Sequence, residues 1–503
     1  MSSTMKVPSS AVFASLSSTI TEISRLSGIP GVAIGMIDNG KIIHQASYGL
    51  CDVEKQIPCD SDSTFVLGSL TKAFTSALLA QLVQEGRLSW TDPLSQDLPG
   101  FQRDPQDLSS HTTIGDLLCH HTGLSACDSL WLGSDHVPLL NHSDAIKILN
   151  YVLGHVIEKR LLRPLGMKRT YFTDRTEQME NEAKPYAALS DATLIRISPA
   201  LQGDHVLMGP AGGVRSSVSD LLLFYNALLD AAAEHVELGT ERNFTPKDQP
   251  VSFSELPAMW TGWNALPLPL VREHSYGYGW LRSQLPSVLA PSRGDPDLNP
   301  LVGTGAPSRL AIWHCGDIPG YQTHATLFPE TKQAVVVLTN SLSLNDGTRY
   351  INDLVIEALL DNLDNAHDYL KLAKRSRDLA SIHKGVVDGR TRSEPCRPLD
   401  SYVGRYFNRA RNFLIDRDAF ELKTYQDDSF FWFLTHNEAA RLARYDGYGE
   451  DFYILRFGSV KGDDDVIDAL WWKHEPSFDG FGEVFERHSA SKNGPSTEQG
   501  SEL

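Results

Sequence analysis

The order of apolar and polar positions predicts a β-hairpin near the start of the chain. Residues 31–38 are apolar except for the last, and residues 41–48 form a second run that contains β-branched and aromatic residues. Asn39 and Gly40 lie between the two runs, and this dipeptide favours the type I′ turn, in which both central residues have positive φ. We therefore expect two antiparallel strands joined by a two-residue turn.

A later apolar stretch predicts a helix that carries a serine and a lysine at its head. Residues 73–84 repeat with helical periodicity and are followed by Gly86, which is typical of a helix end. Ser69 and Lys72 lie three positions apart just before this stretch. Side chains at that spacing share a helix face, with their Cβ atoms about 5–6 Å apart. The pair therefore predicts an activated nucleophile, Ser69, with Lys72 as its base.

This chemistry requires Lys72 to lose its proton. Burial beside Leu70 and Phe74, or a neighbouring cation, would lower the pKa of the amine, and the helix N-terminus would favour negative charge on the serine oxygen. Ser-x-x-Lys alone is a weak signal, because residues 381–384 and 489–492 also match it. Those two matches lie in polar segments without an apolar surrounding, so the first match is the candidate.

Seven segments of the chain carry a family resemblance, and they follow one another in the family's usual order: residues 68–72, 86–93, 114–124, 164–167, 209–213, 276–280 and 314–320. On these segments the chain resembles the serine β-lactamase-related hydrolases, which include class C β-lactamases, DD-peptidases and esterase and acyltransferase relatives. The resemblance covers residues 12–345. It implies an α/β fold of the β-lactamase/transpeptidase type: a mixed, mainly antiparallel sheet flanked by helices, with an all-helical region across residues 86–230.

The segment that begins at His314 resembles the His-x-Gly form of the family's third motif, which in β-lactamases is Lys-Thr-Gly. The resemblance implies that the backbone amides of Ser69 and Asp317 form an oxyanion hole, and that His314 and Gly316 contribute to substrate binding. A lone histidine on a strand is more often an ordinary half-buried residue, but the other motifs favour the site. Since histidine replaces the lysine that grips a β-lactam carboxylate, we expect an esterase or acyltransferase rather than drug resistance.

The family's second motif, Tyr-x-Asn, is not found in its usual place. The only tyrosine there is Tyr151, which best matches a packing residue, although it is our candidate for the phenolic base or proton relay. In another alignment Asn150 is the motif asparagine, which puts Ile148 where tyrosine belongs. Literal matches at residues 350–352 and 406–408 come after the third motif, and that order indicates coincidence.

Three interpretations of the missing motif stay open. Tyr151 substitutes for it after local repacking; the protein is a weakened or inactive relative that acts by binding; or the sequence lacks a stretch because the exon boundaries of its gene were assigned wrongly. A lost proton relay lowers a rate by about 100–10,000-fold. We expect a hydrolase that acts on an ester, lactone or amide, such as a small secondary metabolite, through an acyl-enzyme on Ser69; an acyltransferase using the same intermediate is the alternative.

The net charge and the apolar content limit the kinds of partner that we expect for the protein. The formal charge of −18 over 503 residues disfavours nucleic acid and anionic membrane surfaces. No run of eighteen apolar residues is present, and the N-terminus has no basic or sustained apolar segment, so we expect a cytoplasmic protein with a small-molecule substrate. Oligomeric state stays open.

Cysteine and histidine patterns predict neither a metal nor a cofactor. The six cysteines include no Cys-x-x-Cys pair, and the 17 histidines form no His-Glu-x-x-His motif. The glycine-rich pieces do not have the spacing of a phosphate loop or a dinucleotide-binding turn. Cys315 alternates away from His314 along a strand, so we expect a packed thiol there rather than a nucleophile.

The chain changes character near residue 363. We expect a β-lactamase-like catalytic domain over residues 11–363, a helix and polar linker over 364–397, and a small all-β barrel-like domain over 398–488. That last domain resembles the lipocalin-like domain found at the C-terminus of many relatives. Residues 489–503 are predicted to be a disordered tail.

Overall fold

The computed structural model describes two compact units. The described residues are 10–97, 111–123, 153–172, 180–199, 208–238, 250–267, 271–291, 296–379, 389–391, 394–408, 414–415, 422–432, 435–444, 450–462, 465–474 and 480–487. The first unit comprises those that fall within residues 1–124, 131–380 and 436–445, and the second comprises those within 381–435 and 446–503.

The strands of the first unit are, in chain order, β1 (Gly31–Asp38), β2 (Lys41–Asp52), β3 (Ile57–Pro58), β4 (Phe65–Val66), β5 (Tyr171–Phe172), β6 (Tyr186–Ala188), β7 (Leu194–Arg196), β8 (Val214–Ser216), β9 (Asn264–Ala265), β10 (His274–Tyr276), β11 (Leu281–Gln284), β12 (Leu310–Ile318), β13 (Tyr321–Phe328), β14 (Gln333–Thr339) and β15 (Ser341–Leu342). Nine of them form one antiparallel sheet with the order β3-β2-β1-β14-β13-β12-β11-β10-β9.

Helices flank this sheet. The described α-helices are Ser10–Ser15, Ser17–Ser27, Thr71–Gln84, Leu94–Asp97, Ile114–Leu118, Arg163–Leu165, Gly209–Gly212, Val218–Leu238, Leu256–Trp260, Gly347–Leu359, Tyr369–Leu379 and His436–Arg441. A π-helical turn, Glu158–Leu162, precedes Arg163–Leu165. Among the described residues, no helix is both long enough and apolar enough to cross a bilayer.

Strand β1 shows that the central sheet is apolar on both faces. Every residue of β1 is buried. Ala33 and Ile37 belong to one apolar core, whereas Val32, Ile34 and Met36 belong to another. Because successive side chains of a strand point to opposite faces, the two cores lie on the two faces of the sheet. The mixed α/β, mainly antiparallel fold predicted from the sequence is confirmed.

The predicted hairpin and the predicted helix after Ser69 are also confirmed. β1 and β2 pair antiparallel, and Asn39 (φ 48°) and Gly40 (φ 70°) both have the positive φ that a type I′ turn requires. The helix Thr71–Gln84 ends before Gly86, which has φ 68°. Thus Ser69 follows a sheet and opens a buried helix, as the hydrophobic pattern predicts.

The prediction of an all-helical region over residues 86–230 is wrong in part. β5 and β8 lie within it and form a three-stranded sheet with β4, and β6 and β7 form another with β15. These strands are two or three residues long, which is too short for an alternating pattern to appear in the sequence. Their conformation is set by pairing with distant segments.

The second unit is built on one antiparallel sheet. Its strands are β16 (Tyr406–Asn408), β17 (Leu414–Ile415), β18 (Lys423–Thr424), β19 (Ser429–Phe431), β20 (Ile454–Gly458), β21 (Ala469–Trp472) and β22 (Glu483–Arg487), in the order β17-β16-β22-β21-β20-β19-β18. Aromatic side chains dominate its largest core, including Tyr406, Trp432 and Phe485. Over the described residues the sheet is open, with β17 and β18 at its edges.

The predicted all-β character of the C-terminal part agrees with this sheet, whereas closure into a barrel is not observed among the described strands. The lipocalin-like resemblance and the domain boundaries stay predictions. The predicted tail, residues 489–503, lies outside the described residues.

Candidate active site

The candidate nucleophile lies on a tight turn that passes close to the central sheet. A 3₁₀ turn, Gly68–Leu70, connects β4 to the helix Thr71–Gln84. Gly68 has φ 54°, and a Cβ atom at this position would lie 3.1 Å from the amide nitrogen of Asp317. A residue without a Cβ is therefore needed for both the backbone conformation and the close approach to β12.

Ser69 and Lys72 face each other across the first helical turn. The Lys72 Nζ atom lies 2.7 Å from the Ser69 Oγ atom, and it also lies 3.5 Å from the carbonyl oxygen of Ala211. Both side chains are half-buried, so the pair can be reached from solvent. The spacing predicted from the sequence therefore produces a direct hydrogen bond between the amine and the hydroxyl.

The turn is held by hydrogen bonds from buried threonines. The Thr323 hydroxyl donates to the carbonyl oxygen of Leu67 at 2.7 Å, and the Val214 amide donates to Thr71 Oγ1 at 3.1 Å. A Cβ atom at Gly316 would lie 2.0 Å from the Leu67 carbonyl oxygen and 2.4 Å from Thr323 Oγ1. Only glycine at 316 allows β12 to pass this close to the turn.

The structure brings together the residues that the family resemblance assigns to the oxyanion hole. Asp317 follows Gly316 on β12, and its amide nitrogen borders the turn that carries Ser69. Two backbone amides near one serine oxygen are the arrangement that stabilises a tetrahedral oxyanion. Assigning that role to the amides of Ser69 and Asp317 remains a proposal.

His314 is buried on β12, and both of its ring nitrogens have partners. Nδ1 lies 2.6 Å from the carbonyl oxygen of Cys315, and Nε2 lies 2.7 Å from the hydroxyl of Tyr276. Burial, and next the charge of Lys72, lower the pKa of His314 to about 3. The imidazole is therefore neutral at ordinary pH, and it supplies no cation to the site.

Tyr276 received no role from the sequence, although its segment contributed to the family resemblance. It ends β10 and is buried, and the His120 ring packs edge-on against its ring at 4.7 Å between centroids. Burial also raises the pKa of Tyr276 above its usual range. The sequence signal for a role of Tyr276 is its position just before a turn that contains Gly277 and Gly279. This signal does not show which residue the tyrosine hydroxyl contacts.

Cys315 is a packed thiol, not a competing nucleophile. Burial raises the pKa of Cys315 to about 11, so the thiolate is scarce at neutral pH. This agrees with its predicted orientation away from His314 along the strand.

The other candidates from the sequence are not described at this site. Tyr151 and the Ser-x-x-Lys matches at 381–384 and 489–492 lie outside the described residues. Tyr350, in the literal Tyr-x-Asn match at residues 350–352, belongs to a different apolar core from Leu70, the residue after Ser69. Residues 406–408, the other literal match, form β16 of the second unit. Over the described part of the chain, no group of three histidine, cysteine or acidic residues is placed to hold a metal ion.

Comparison with known proteins agrees with this geometry. The chain is 23% identical over 435 residues to an unguisins hydrolase of Aspergillus campestris, covering 76% of this chain and 73% of that protein. It is 24% identical over 347 residues to a beta-lactamase of Providencia stuartii, covering 62% of this chain and 82% of that protein.

A solved structure shares the fold. The octameric penicillin-binding protein homologue from Pyrococcus abyssi superposes with a TM-score of 0.51 at 20% identity, covering 84% of this chain and 87% of that chain. The beta-lactamase family model matches residues 16–360, which include the nucleophile turn and β12. The chain therefore belongs to the beta-lactamase family of serine hydrolases.

Proposed function

We propose that the chain hydrolyses an ester, lactone or amide of a small secondary metabolite through an acyl-enzyme on Ser69. One observation carries the proposal: the Lys72 amine lies 2.7 Å from the Ser69 hydroxyl, on a turn that approaches the Asp317 amide. Nucleophile, base and oxyanion donor then converge on one point.

The mechanism follows from these positions. Neutral Lys72 takes the Ser69 proton as the serine oxygen attacks the substrate carbonyl, and the amides of Ser69 and Asp317 hold the resulting oxyanion. The tetrahedral intermediate collapses, the ammonium of Lys72 returns the proton to the leaving oxygen or nitrogen, and an ester to Ser69 remains. Water, deprotonated by Lys72, then attacks that ester and releases the acid and the free serine.

The proposed preference for an uncharged substrate rests on the absence of charge on His314. His314 is neutral and both of its ring nitrogens are engaged, so it offers no ammonium group for a β-lactam carboxylate. A relative from Aspergillus campestris is named an unguisins hydrolase, which supports a hydrolase whose substrates are not confined to β-lactams. An uncharged carbonyl compound is the substrate that this site suits.

Covalent labelling tests the nucleophile. We expect the intact mass to rise by one adduct when the protein is exposed to a fluorophosphonate, and the adduct to vanish in Ser69→Ala. Ser76→Ala is the matched control, because Ser76 lies seven positions later, in the helix that follows the turn, and is buried. No adduct at any pH up to about 10, where an ordinary lysine becomes neutral, would instead support a binding protein without turnover.

A substrate panel tests the reaction class. We expect p-nitrophenyl esters to be cleaved faster than nitrocefin, and rapid nitrocefin turnover without ester cleavage would refute the preference. Adding an alcohol or amine acceptor distinguishes the alternative: an acyltransferase would give the transferred ester or amide in place of the free acid.

A further inference from the structure

We propose that Tyr276 is a positioning residue for β12, the strand that carries the Asp317 amide: its hydroxyl donates to His314 Nε2, which keeps the single N–H proton of the neutral imidazole on Nδ1, where it donates to the Cys315 carbonyl. This role rests on the proposed function, because the strand that is held at Cys315 also carries the Asp317 amide, two residues later.

The direction of each hydrogen bond follows from elementary chemistry. A carbonyl oxygen only accepts, so the short contact to Cys315 requires a proton on His314 Nδ1. A neutral imidazole then has a lone pair on Nε2, and the Tyr276 hydroxyl at 2.7 Å must be the donor. The three groups form one chain of donors that runs from the phenol to the backbone of β12.

The surroundings keep these hydrogen-bonded groups uncharged. Tyr276 and His314 are buried, and the groups that act electrostatically on the imidazole are Lys72, His120 and His324. All three disfavour an imidazolium, as burial itself does. Because the phenol is also buried, with its pKa raised, proton transfer from Tyr276 to His314 would create two buried charges. The pair therefore holds position and does not exchange a proton.

Among the described strands, only β13 pairs with β12 at this point. β11 pairs with β12 up to Trp313, while β13 pairs with β12 through Ile318. At Gly316 and Asp317, β12 lies against the turn that carries Ser69. The imidazole is thus a side-chain partner for the Cys315 carbonyl beyond the point where the described part of β11 stops pairing with β12, and Tyr276 selects the tautomer that can supply it.

Removing the phenol hydroxyl should therefore loosen β12 without removing a reacting group. In Tyr276→Phe we expect the rate of fluorophosphonate labelling, and kcat/KM for esters, to fall by about 10–100-fold, less than the loss of a whole oxyanion donor. Tyr278→Phe is the matched control, since it removes a buried phenol hydroxyl two residues along and has no bond to His314.

A spectroscopic readout separates positioning from a general loss of structure. With ¹⁵N-labelled histidine, we expect His314 to show a single Nδ1–H tautomer in the wild type and a mixture in Tyr276→Phe, at an unchanged melting temperature. This measurement needs no turnover, so it remains decisive even if Ser69 forms no acyl-enzyme. An unchanged tautomer in Tyr276→Phe would overturn the proposal.

A double-mutant cycle gives the second test. In His314→Asn the amide nitrogen takes the place of Nδ1 and donates to the Cys315 carbonyl without help from Tyr276. We expect His314→Asn to retain most of the labelling rate that His314→Ala loses, and Tyr276→Phe to cost nothing further in the His314→Asn background. Additive effects would show that the two residues act independently and would overturn the proposal.

Discussion

The hydroxyl of Thr323 on β13 donates to the carbonyl oxygen of Leu67 across 2.7 Å, although the two residues lie 256 positions apart in the chain. The bond passes beside Gly316, whose missing side chain leaves room for it. It ties the turn that carries Ser69 to the centre of the sheet, so the geometry of the nucleophile depends on strands that lie far from it in sequence.

Thr323→Val should lower the free energy of unfolding by about 1–3 kcal/mol, because the buried Leu67 carbonyl keeps only the longer bond from the Leu70 amide, at 3.4 Å. Denaturant unfolding measures this loss, and labelling of Ser69 should slow in parallel. Thr323→Ser keeps the hydroxyl and is the control. A serine variant as unstable as the valine variant would contradict the assignment of the loss to the hydrogen bond alone.

Gly316→Ala should reduce labelling of Ser69 by about 100-fold or more, because the new Cβ atom would push β12 away from Leu67 and displace the Asp317 amide. Labelling kinetics and melting temperature test this together. Gly86→Ala is the comparison: Gly86 has positive φ but no atom near its Cβ position, so it should cost about 1 kcal/mol of stability and leave labelling intact. Similar labelling rates in both variants would contradict the steric argument.

Lys72→Arg should lower kcat/KM by about 100–10,000-fold, since a guanidinium keeps its proton and cannot act as a base. Ester hydrolysis at pH 8 provides the measurement. Lys332→Arg is the matched control, because Lys332 pairs with Asp230 away from the site. Full activity in Lys72→Arg would rule out Lys72 as the general base.

Asp353 provides a prediction about pH. Burial raises the pKa of Asp353 to about 7, from 3.8. Between about pH 4 and pH 7 the folded protein therefore binds a proton that the unfolded chain has released, so this residue lowers stability as pH rises. Asp353→Asn should be more stable than the wild type at pH 8, by on the order of a few kcal/mol, with the gap closing towards pH 4. Urea unfolding at several pH values tests this, and a gap that does not change with pH would contradict it.

Much of the fold could be predicted because its signals are local. Asn39 and Gly40 favour one turn type, the runs on either side of them are long enough to indicate strands, and the helix Thr71–Gln84 is long enough for its period to show. The pairing of Ser69 with Lys72 is equally local, because helical geometry alone places the two side chains together.

The rest depends on long-range contacts. The bond between Tyr276 and His314 joins residues on β10 and β12, two strands that are not adjacent in the sheet. The strands β5 and β8 are too short to have a pattern of their own. Neither this hydrogen bond nor these strands could be predicted from neighbouring residues, since the local sequence does not show which distant segment a residue will contact in the fold.

The position of β1 in the sheet has a consequence for synthesis. β1 lies between β2 and β14, and Val32 pairs with Thr339, so one of its edges waits for a strand that the ribosome makes about three hundred residues later. Until then the nascent chain presents an apolar strand with an open edge, which is the kind of surface that chaperones shield. Ser69 and Lys72 leave the ribosome early, but β12, which carries the Asp317 amide, emerges about 240 residues later, so the proposed active site can assemble only once the sheet has formed.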